Sequence, residues 1–173
     1  MCPVDDAQLT ELSRHVQGLI LDVDGVLTDG RITYADDGTE SKHFHVRDGA
    51  SLKLLQAEGI PVAIITGRSS PMVARRAEEL QIRFLVQGAA SKEAALHELI
   101  EQGFPANNLA AIGDDLQDLQ LFQSPAVTLK ITVADAHPVV IQAADFTTHG
   151  AGGSGVTAEI ATLLLTAQGK WPF

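Results

Sequence analysis

The chain's 173 residues fit one domain of ordinary size, and a hydrophobic share of 45% with only 5% aromatics asks Leu, Ile, Val and Ala to fill its core. A formal net charge of −10 argues against nucleic acid or an anionic membrane as main partner, and any anionic substrate must meet local positive charge or a bound cation. Cys2 is the one cysteine, so no intramolecular disulfide is available, which suits a reducing cytoplasm; no secretory signal is visible and no apolar run approaches the roughly 18 residues of a membrane span.

From Asp6 to His15 the apolar positions Leu9, Leu12 and Val16 have helical spacing. Leu19-Ile20-Leu21 then reads as a buried strand that stops abruptly at Asp22-Val23-Asp24-Gly25. Residues 31–46 change pattern. Ile32 and Tyr34 alternate with polar residues, Asp36-Asp37-Gly38 supplies a turn, and Phe44 and Val46 alternate again, which predicts an inserted β-hairpin. A helix follows from about Asp48 to Glu58 with Gly59 as its stop, then a β-branched strand over Ile60 to Ile65. Ser70-Pro71 opens a helix to about Leu80, Ile82 to Val86 is a strand, and Ser91 caps a helix to about Gln102. Leu109 to Ile112 is a strand ending at Gly113-Asp114-Asp115, with a short helix over Leu116 to Phe122. Strands at Val127–Ile131 and Asp145–Thr148 and helices at Pro138–Ala143 and Val156–Ala167 complete the chain. Alternating strands and helices predict an α/β fold: a doubly wound parallel sheet covered on both faces, here as one domain over 1–173. Right-handed crossovers bring the ends of the strands carrying Asp22, Thr66 and Asp114 to one rim.

Each of those strand ends offers different chemistry. Two carboxylates one residue apart at the end of a buried strand require a cation or charged partner, although Asp and Gly also make turns. Thr66-Gly67-Arg68-Ser69-Ser70 puts a hydroxyl and free N–H groups at a helix start, a place for phosphate or simply an N-cap. Lys92 in the first turn of a helix opposes the helix dipole, so it is placed for an anion or else solvated. Capping explains one or two of Asp114, Asp115 and Asp118, but not the repulsion between Asp114 and Asp118. Together these make a hard-oxygen site suited to Mg²⁺, which takes one or two carboxylates, waters and a substrate phosphate. His43 and His45 are too few for a zinc site, and Gly150 to Gly155 lacks the chain that a dinucleotide fingerprint needs after it.

These residues resemble the haloacid dehalogenase superfamily of phosphotransferases. Its DxDGxxT motif matches Asp22 to Thr28, its hydroxyl residue Thr66, its lysine Lys92, and its GDxxxD motif Gly113, Asp114 and Asp118. Within it the chain is similar to the 3-deoxy-D-manno-octulosonate 8-phosphate phosphatases, through Asp22 to Gly30, Val46-Arg47-Asp48-Gly49, Ile65 to Arg68, Val133 to Pro138 and Ala167 to Lys170. Two departures from that family are His45 in place of an asparagine and Ala158 in place of the arginine before Glu159.

The resemblance implies a capless, Mg²⁺-dependent phosphatase of lipopolysaccharide precursor synthesis. It would be a cytoplasmic homotetramer assembled through the hairpin, with a neighbouring subunit completing each site. It further implies Asp22 as nucleophile, Asp24 as acid and base, Thr66, Gly67 and Lys92 on the phosphoryl oxygens, and Asp118 orienting Lys92. The metal would lie between the carboxylates of Asp22 and Asp114 and the carbonyl oxygen of Asp24. The substrate's carboxylate would meet basic residues among Arg47, Lys53, Arg68 and Arg76, with Asp48 and Gly49 beside Arg47 in the same motif. Two alternatives stay open: a phosphatase for a sialic-acid-type nine-carbon sugar phosphate, and a receiver-like phosphoacceptor module. The second carries its acceptor on the third strand, which here ends in Gln87-Gly88.

Overall fold

A computed structural model describes residues 5–173; Cys2 lies outside the described residues. In chain order the elements are α1 (Asp6–Arg14), β1 (Gly18–Leu21), β2 (Thr33–Tyr34), β3 (Glu40–Ser41), α2 (Val46–Ala57), β4 (Val62–Thr66), α3 (Pro71–Glu79) and β5 (Phe84–Gln87). There follow α4 (Lys92–Glu101), β6 (Leu109–Ile112), a 3₁₀ turn (Leu116–Asp118), α5 (Leu119–Phe122), β7 (Val127–Thr132), α6 (Pro138–Ala143), β8 (Phe146–Thr147) and α7 (Thr157–Ala167). No helix among the described residues is long and apolar enough to cross a membrane.

Six strands form one sheet in the order β5-β4-β1-β6-β7-β8, every pair parallel. Side chains alternate across a strand, so a parallel sheet with two covered faces needs apolar residues at consecutive positions. The strands meet that demand. Leu19, Leu21 and Ile64 enter one core with α1, α2, α3 and α7, whereas Ile20, Ala63 and Ile65 enter the other with α4, α5 and α6. The sheet is therefore doubly wound. β1 lies near its centre, with β4 and β5 on one side and β6, β7 and β8 on the other, reached after the chain crosses back from β5. That is the switch point where open α/β sheets form a crevice at the strands' carboxyl ends.

The hairpin differs from its predicted form. Its turn falls where Asp36-Asp37-Gly38 put it, with Gly38 at φ +82° and the Ala35 N–H donating to the Thr39 carbonyl at 2.8 Å. Its second strand, however, is the polar pair Glu40–Ser41. Phe44 has left the ladder to pack against the core, and Val46 is the first residue of α2. The alternation of Phe44 and Val46 marked an approach to the helix, not a strand. Ile32, Tyr34 and Val46 stay exposed, at 41%, 66% and 83% of their surface, so the apolar face expected to be buried is not covered by its own chain.

Candidate active site

β1 ends at Asp22, whose N–H donates to the Ile112 carbonyl on β6 at 3.1 Å. The chain then turns tightly, with the N–H groups of Val26, Leu27 and Thr28 all directed at the Val23 carbonyl. Gly25 is required in this turn. Its φ is +89°, and a Cβ there would lie 2.0 Å from Asp114 Oδ2. At the end of β4, buried Thr66 accepts the Arg68 N–H on Oγ1 at 3.4 Å. Ser70 does not cap α3: its buried hydroxyl makes no hydrogen bond. Ser91 does cap α4, accepting the Ala94 N–H at 3.2 Å.

Lys92 is buried, not solvated. Its Nζ hydrogen-bonds Asp118 Oδ1 and stands 3.0 Å from Asp22 Oδ1. The other Asp118 oxygen accepts the N–H groups of Asp114 and Asp115 at 3.0 and 3.1 Å. This close approach needs Gly113, where a Cβ would lie 2.1 Å from Asp118 Cγ. Asp118 therefore spends both oxygens on protein donors. By contrast, Asp114 Oδ1 is buried with no hydrogen-bond partner, and Asp22 Oδ1, also buried, has the Lys92 ammonium 3.0 Å away. Oxygens of Asp22, Asp114 and Asp118 lie within 4.8 Å of one another.

The electrostatics follow from that crowding. Burial, then repulsion from Asp118, pushes Asp22 up to about 6 against the pull of Lys92. Burial and repulsion from Asp22 and Asp118 push Asp114 to about 7. Burial also opposes the charge on Lys92, yet Asp22 and Asp118 together hold its pKa above the ordinary value. Asp114 Oδ1 lacks a partner and Lys92 offsets only part of the charge crowded here, so the Asp22 and Asp114 carboxylates fit a hard, oxygen-seeking divalent cation. Asp118 is within reach of such an ion, but its saturated oxygens assign it to holding Lys92 and the Asp114 backbone.

These groups open on a cavity of about 530 Å³ lined by Asp22, Asp24, Thr66, Arg68, Lys92 and Asp114, among others that include Gly67 and Asp118. Five expected substrate residues lie elsewhere. Arg47 is exposed at the start of α2, its guanidinium 3.5 Å from the Ser154 carbonyl. Asp48 points inward and accepts the Thr157 N–H and hydroxyl at 3.0 and 2.9 Å, tying α2 to α7. Gly49 lets Arg76 pass, since a Cβ would lie 2.6 Å from that guanidinium. Arg76 donates to the His45 carbonyl at 3.3 Å and stacks over Phe44 at 5.7 Å. Lys53 is exposed on α2. Two residues that the pattern did not single out, Glu40 and Lys42, reach the rim of the site through Arg68 and Asp24.

A haloacid dehalogenase-like hydrolase family model matches residues 84–160. The chain is 44% identical over 169 residues to 3-deoxy-D-manno-octulosonate 8-phosphate phosphatase KdsC of Salmonella typhi, covering 97% of this chain and 88% of that one. The chain belongs to the 3-deoxy-D-manno-octulosonate 8-phosphate phosphatase family. Among solved structures, the Moraxella catarrhalis phosphatase in complex with magnesium, phosphate and KDO superimposes with a TM-score of 0.89 at 39% identity, over 95% of this chain and 94% of that one. The putative phosphatase of Vibrio cholerae gives 0.91 at 38% identity, over 96% and 92%.

The phosphatase family's remaining motifs act here as supports. The Gly-rich loop presses on the turn after β1, where a Cβ on Gly152 would lie 1.9 Å from the Gly25 carbonyl oxygen. The Gly153 N–H donates to the Val26 carbonyl at 2.9 Å, and Asp135 accepts the Gly152 N–H at 2.8 Å. The His137 N–H holds the Asp114 carbonyl at 2.8 Å. His45, the departure from asparagine, still caps α2: its Nδ1 accepts the Arg47 N–H at 3.1 Å. Beside the alanine at 158, Glu159 accepts the N–H groups of His149 and Gly150 at 2.8 and 2.9 Å, which holds its pKa below the ordinary range although burial works the other way.

Proposed function

We propose that the protein is an Mg²⁺-dependent phosphatase that hydrolyses 3-deoxy-D-manno-octulosonate 8-phosphate to the free sugar acid and phosphate. The observation that carries this reading is the meeting of Lys92, Thr66 and the crowded carboxylates of Asp22 and Asp114 in one cavity. The family relatives supply the sugar.

Asp22 attacks phosphorus and takes the phosphoryl group as an acyl phosphate, which splits a difficult hydrolysis into two easier steps. Asp24 gives a proton to the departing sugar oxygen, then takes one from the water that cleaves the aspartyl-phosphate. Thr66 Oγ1, the Gly67 N–H and the Lys92 ammonium hold the phosphoryl oxygens. Positioning and charge stabilisation account for most of the catalysis in phosphoryl transfer. Asp118 fixes Lys92 through its Oδ1. Mg²⁺, held by the Asp22 and Asp114 carboxylates and the Asp24 carbonyl, neutralises charge on the nucleophile and the phosphoryl group. Arg68, on the cavity wall, meets the sugar's carboxylate.

The exposed Ile32 and Tyr34 of the hairpin, with Val46 at the start of α2, support assembly through the hairpin into a homotetramer in which Arg47 serves a neighbouring site. A single cysteine in the chain supports a cytoplasmic setting. The test is phosphate release from 3-deoxy-D-manno-octulosonate 8-phosphate, with Mg²⁺ and with chelator, beside a nine-carbon keto-acid sugar phosphate and simple sugar phosphates. Strong Mg²⁺-dependent preference for the eight-carbon substrate is expected. Preference for the nine-carbon sugar would move the substrate and keep the chemistry.

A further inference from the structure

The chemistry assigned to Asp24 asks its carboxylate to hand a proton one way and then the other, from a fixed place. Nothing in β1 or its turn fixes that side chain. The hydrogen bond that holds it comes from the hairpin. Glu40 and Lys42 are two residues apart on an extended segment, so they point to the same side, while Ser41 and His43 between and after them face solvent. That shared side faces the rim of the active site.

The Lys42 side chain is only 1% exposed. Its ammonium hydrogen-bonds Asp24 Oδ1 and lies 3.5 Å from Glu40 Oε1. Glu40 Oε2 in turn accepts from Arg68 at 3.0 Å, and Arg68 Nε lies 3.9 Å from Asp24 Oδ2. Four charges of alternating sign thus close a ring across the turn after β1, the hairpin and the loop after β4. A lysine buried to this degree is tolerated only where carboxylates replace its water. The two Asp24 oxygens are treated differently by the ring. Oδ1 is held by Lys42, whereas Oδ2 has a charged neighbour beyond hydrogen-bond reach. Asp24 lines the cavity; Lys42 does not.

We propose that Lys42 is a positioning residue for the acid–base step, anchoring Asp24 Oδ1 so that Oδ2 is the oxygen that exchanges protons with the leaving group and with water. The hairpin is then part of the catalytic machinery of its own subunit, in addition to any part in assembly. This rests on the role given to Asp24 above.

The test uses the full-length protein with 3-deoxy-D-manno-octulosonate 8-phosphate and Mg²⁺. General acid–base catalysis is worth about 10²–10⁴-fold, and a misplaced carboxylate forfeits part of it. Lys42→Met is expected to lower kcat about 30-fold while KM stays within about threefold, because Lys42 does not line the cavity. Lys42→Arg keeps the charge and the donor and is expected to restore kcat to within about threefold of the parent. Glu40→Gln loosens the ring but leaves the Lys42–Asp24 bond, so it costs far less than Lys42→Met. Circular dichroism and size-exclusion chromatography check fold and assembly. Lys42→Gln, which can still donate to Asp24 without burying a charge, serves as the second neutral variant. A kcat within about threefold of the parent in Lys42→Met, or equal losses in Lys42→Met and Glu40→Gln, would overturn the proposal. So would failure of both neutral variants to fold, which makes the ring a structural latch only. A parent protein that leaves this substrate untouched would instead overturn the functional reading on which the proposal rests.

Discussion

The crowded carboxylates make the metal-free protein less stable as pH rises, and a divalent cation reverses the effect. The unfolded chain holds both aspartates at an ordinary value of 3.8, whereas the fold pushes Asp22 to about 6 and Asp114 to about 7. Between these limits the folded state binds more protons than the unfolded state, so stability falls with increasing pH through that window. From pH 5 to pH 8, Asp114 contributes over about two pH units and Asp22 over about one, at about 1.4 kcal/mol each. Independent groups would cost about 4 kcal/mol; the Asp114 shift includes repulsion from a charged Asp22, which is itself partly protonated in this window, so the pair costs about 3 kcal/mol. Asp48, raised by burial, acts in the same direction. Lys92 titrates above the window and does not enter. With a urea dependence of about 2 kcal/mol per molar, the midpoint in EDTA should fall by about 1.5 M between pH 5 and pH 8. Magnesium at about 100 times its dissociation constant should return about 2.7 kcal/mol at pH 8, and much less at pH 5, where protons compete for the same oxygens. Equal midpoints at pH 5 and pH 8 in EDTA would refute the assignment of Asp22 and Asp114 as strained carboxylates. No gain from magnesium at pH 8 would refute them as its ligands.

Asp22→Asn should lower kcat by at least about 10³-fold while circular dichroism stays that of the parent, because the amide cannot take the phosphoryl group. Asp48→Ala should cost about 2–3 kcal/mol in urea denaturation, through the lost bonds to Thr157, and leave KM within about twofold; a large rise in KM would instead put Asp48 on the substrate. Ile32→Lys with Tyr34→Glu should convert an oligomer to smaller species by light scattering, since both side chains are exposed in the single chain. An unchanged mass would move the interface off the hairpin.

The sheet was legible because a doubly covered parallel strand has to be apolar at every position, and Leu19 to Leu21 and Leu109 to Ile112 are. Ends of such strands share a rim, so the meeting of Asp22, Thr66 and Asp114 follows from order alone. Lys92 was legible as misplaced for the dipole, and its burial between two carboxylates is the reason. Other positions carried no local signal. Asp48 bonds a residue 109 positions away, which no spacing rule reaches. Arg76 looks like any helix-surface arginine beside Glu79 until Phe44 and the His45 carbonyl come into view. Glu40 and Lys42 on a polar hairpin read as solvated strand; only the fold turns their shared side toward Asp24. The Gly-rich loop, set aside as a poor dinucleotide motif, proved to be glycine because it packs backbone to backbone on the turn after β1.

In the proposed reaction Asp22 carries the phosphoryl group. The most direct test is acid quenching of the protein with 3-deoxy-D-manno-octulosonate 8-phosphate and Mg²⁺ within the first turnover, followed by mass spectrometry of the peptide that spans Leu19 to Thr28. One added phosphoryl group is expected on Asp22, lost on mild alkaline treatment as an acyl phosphate is. An unmodified peptide at times when inorganic phosphate is already being released would contradict it.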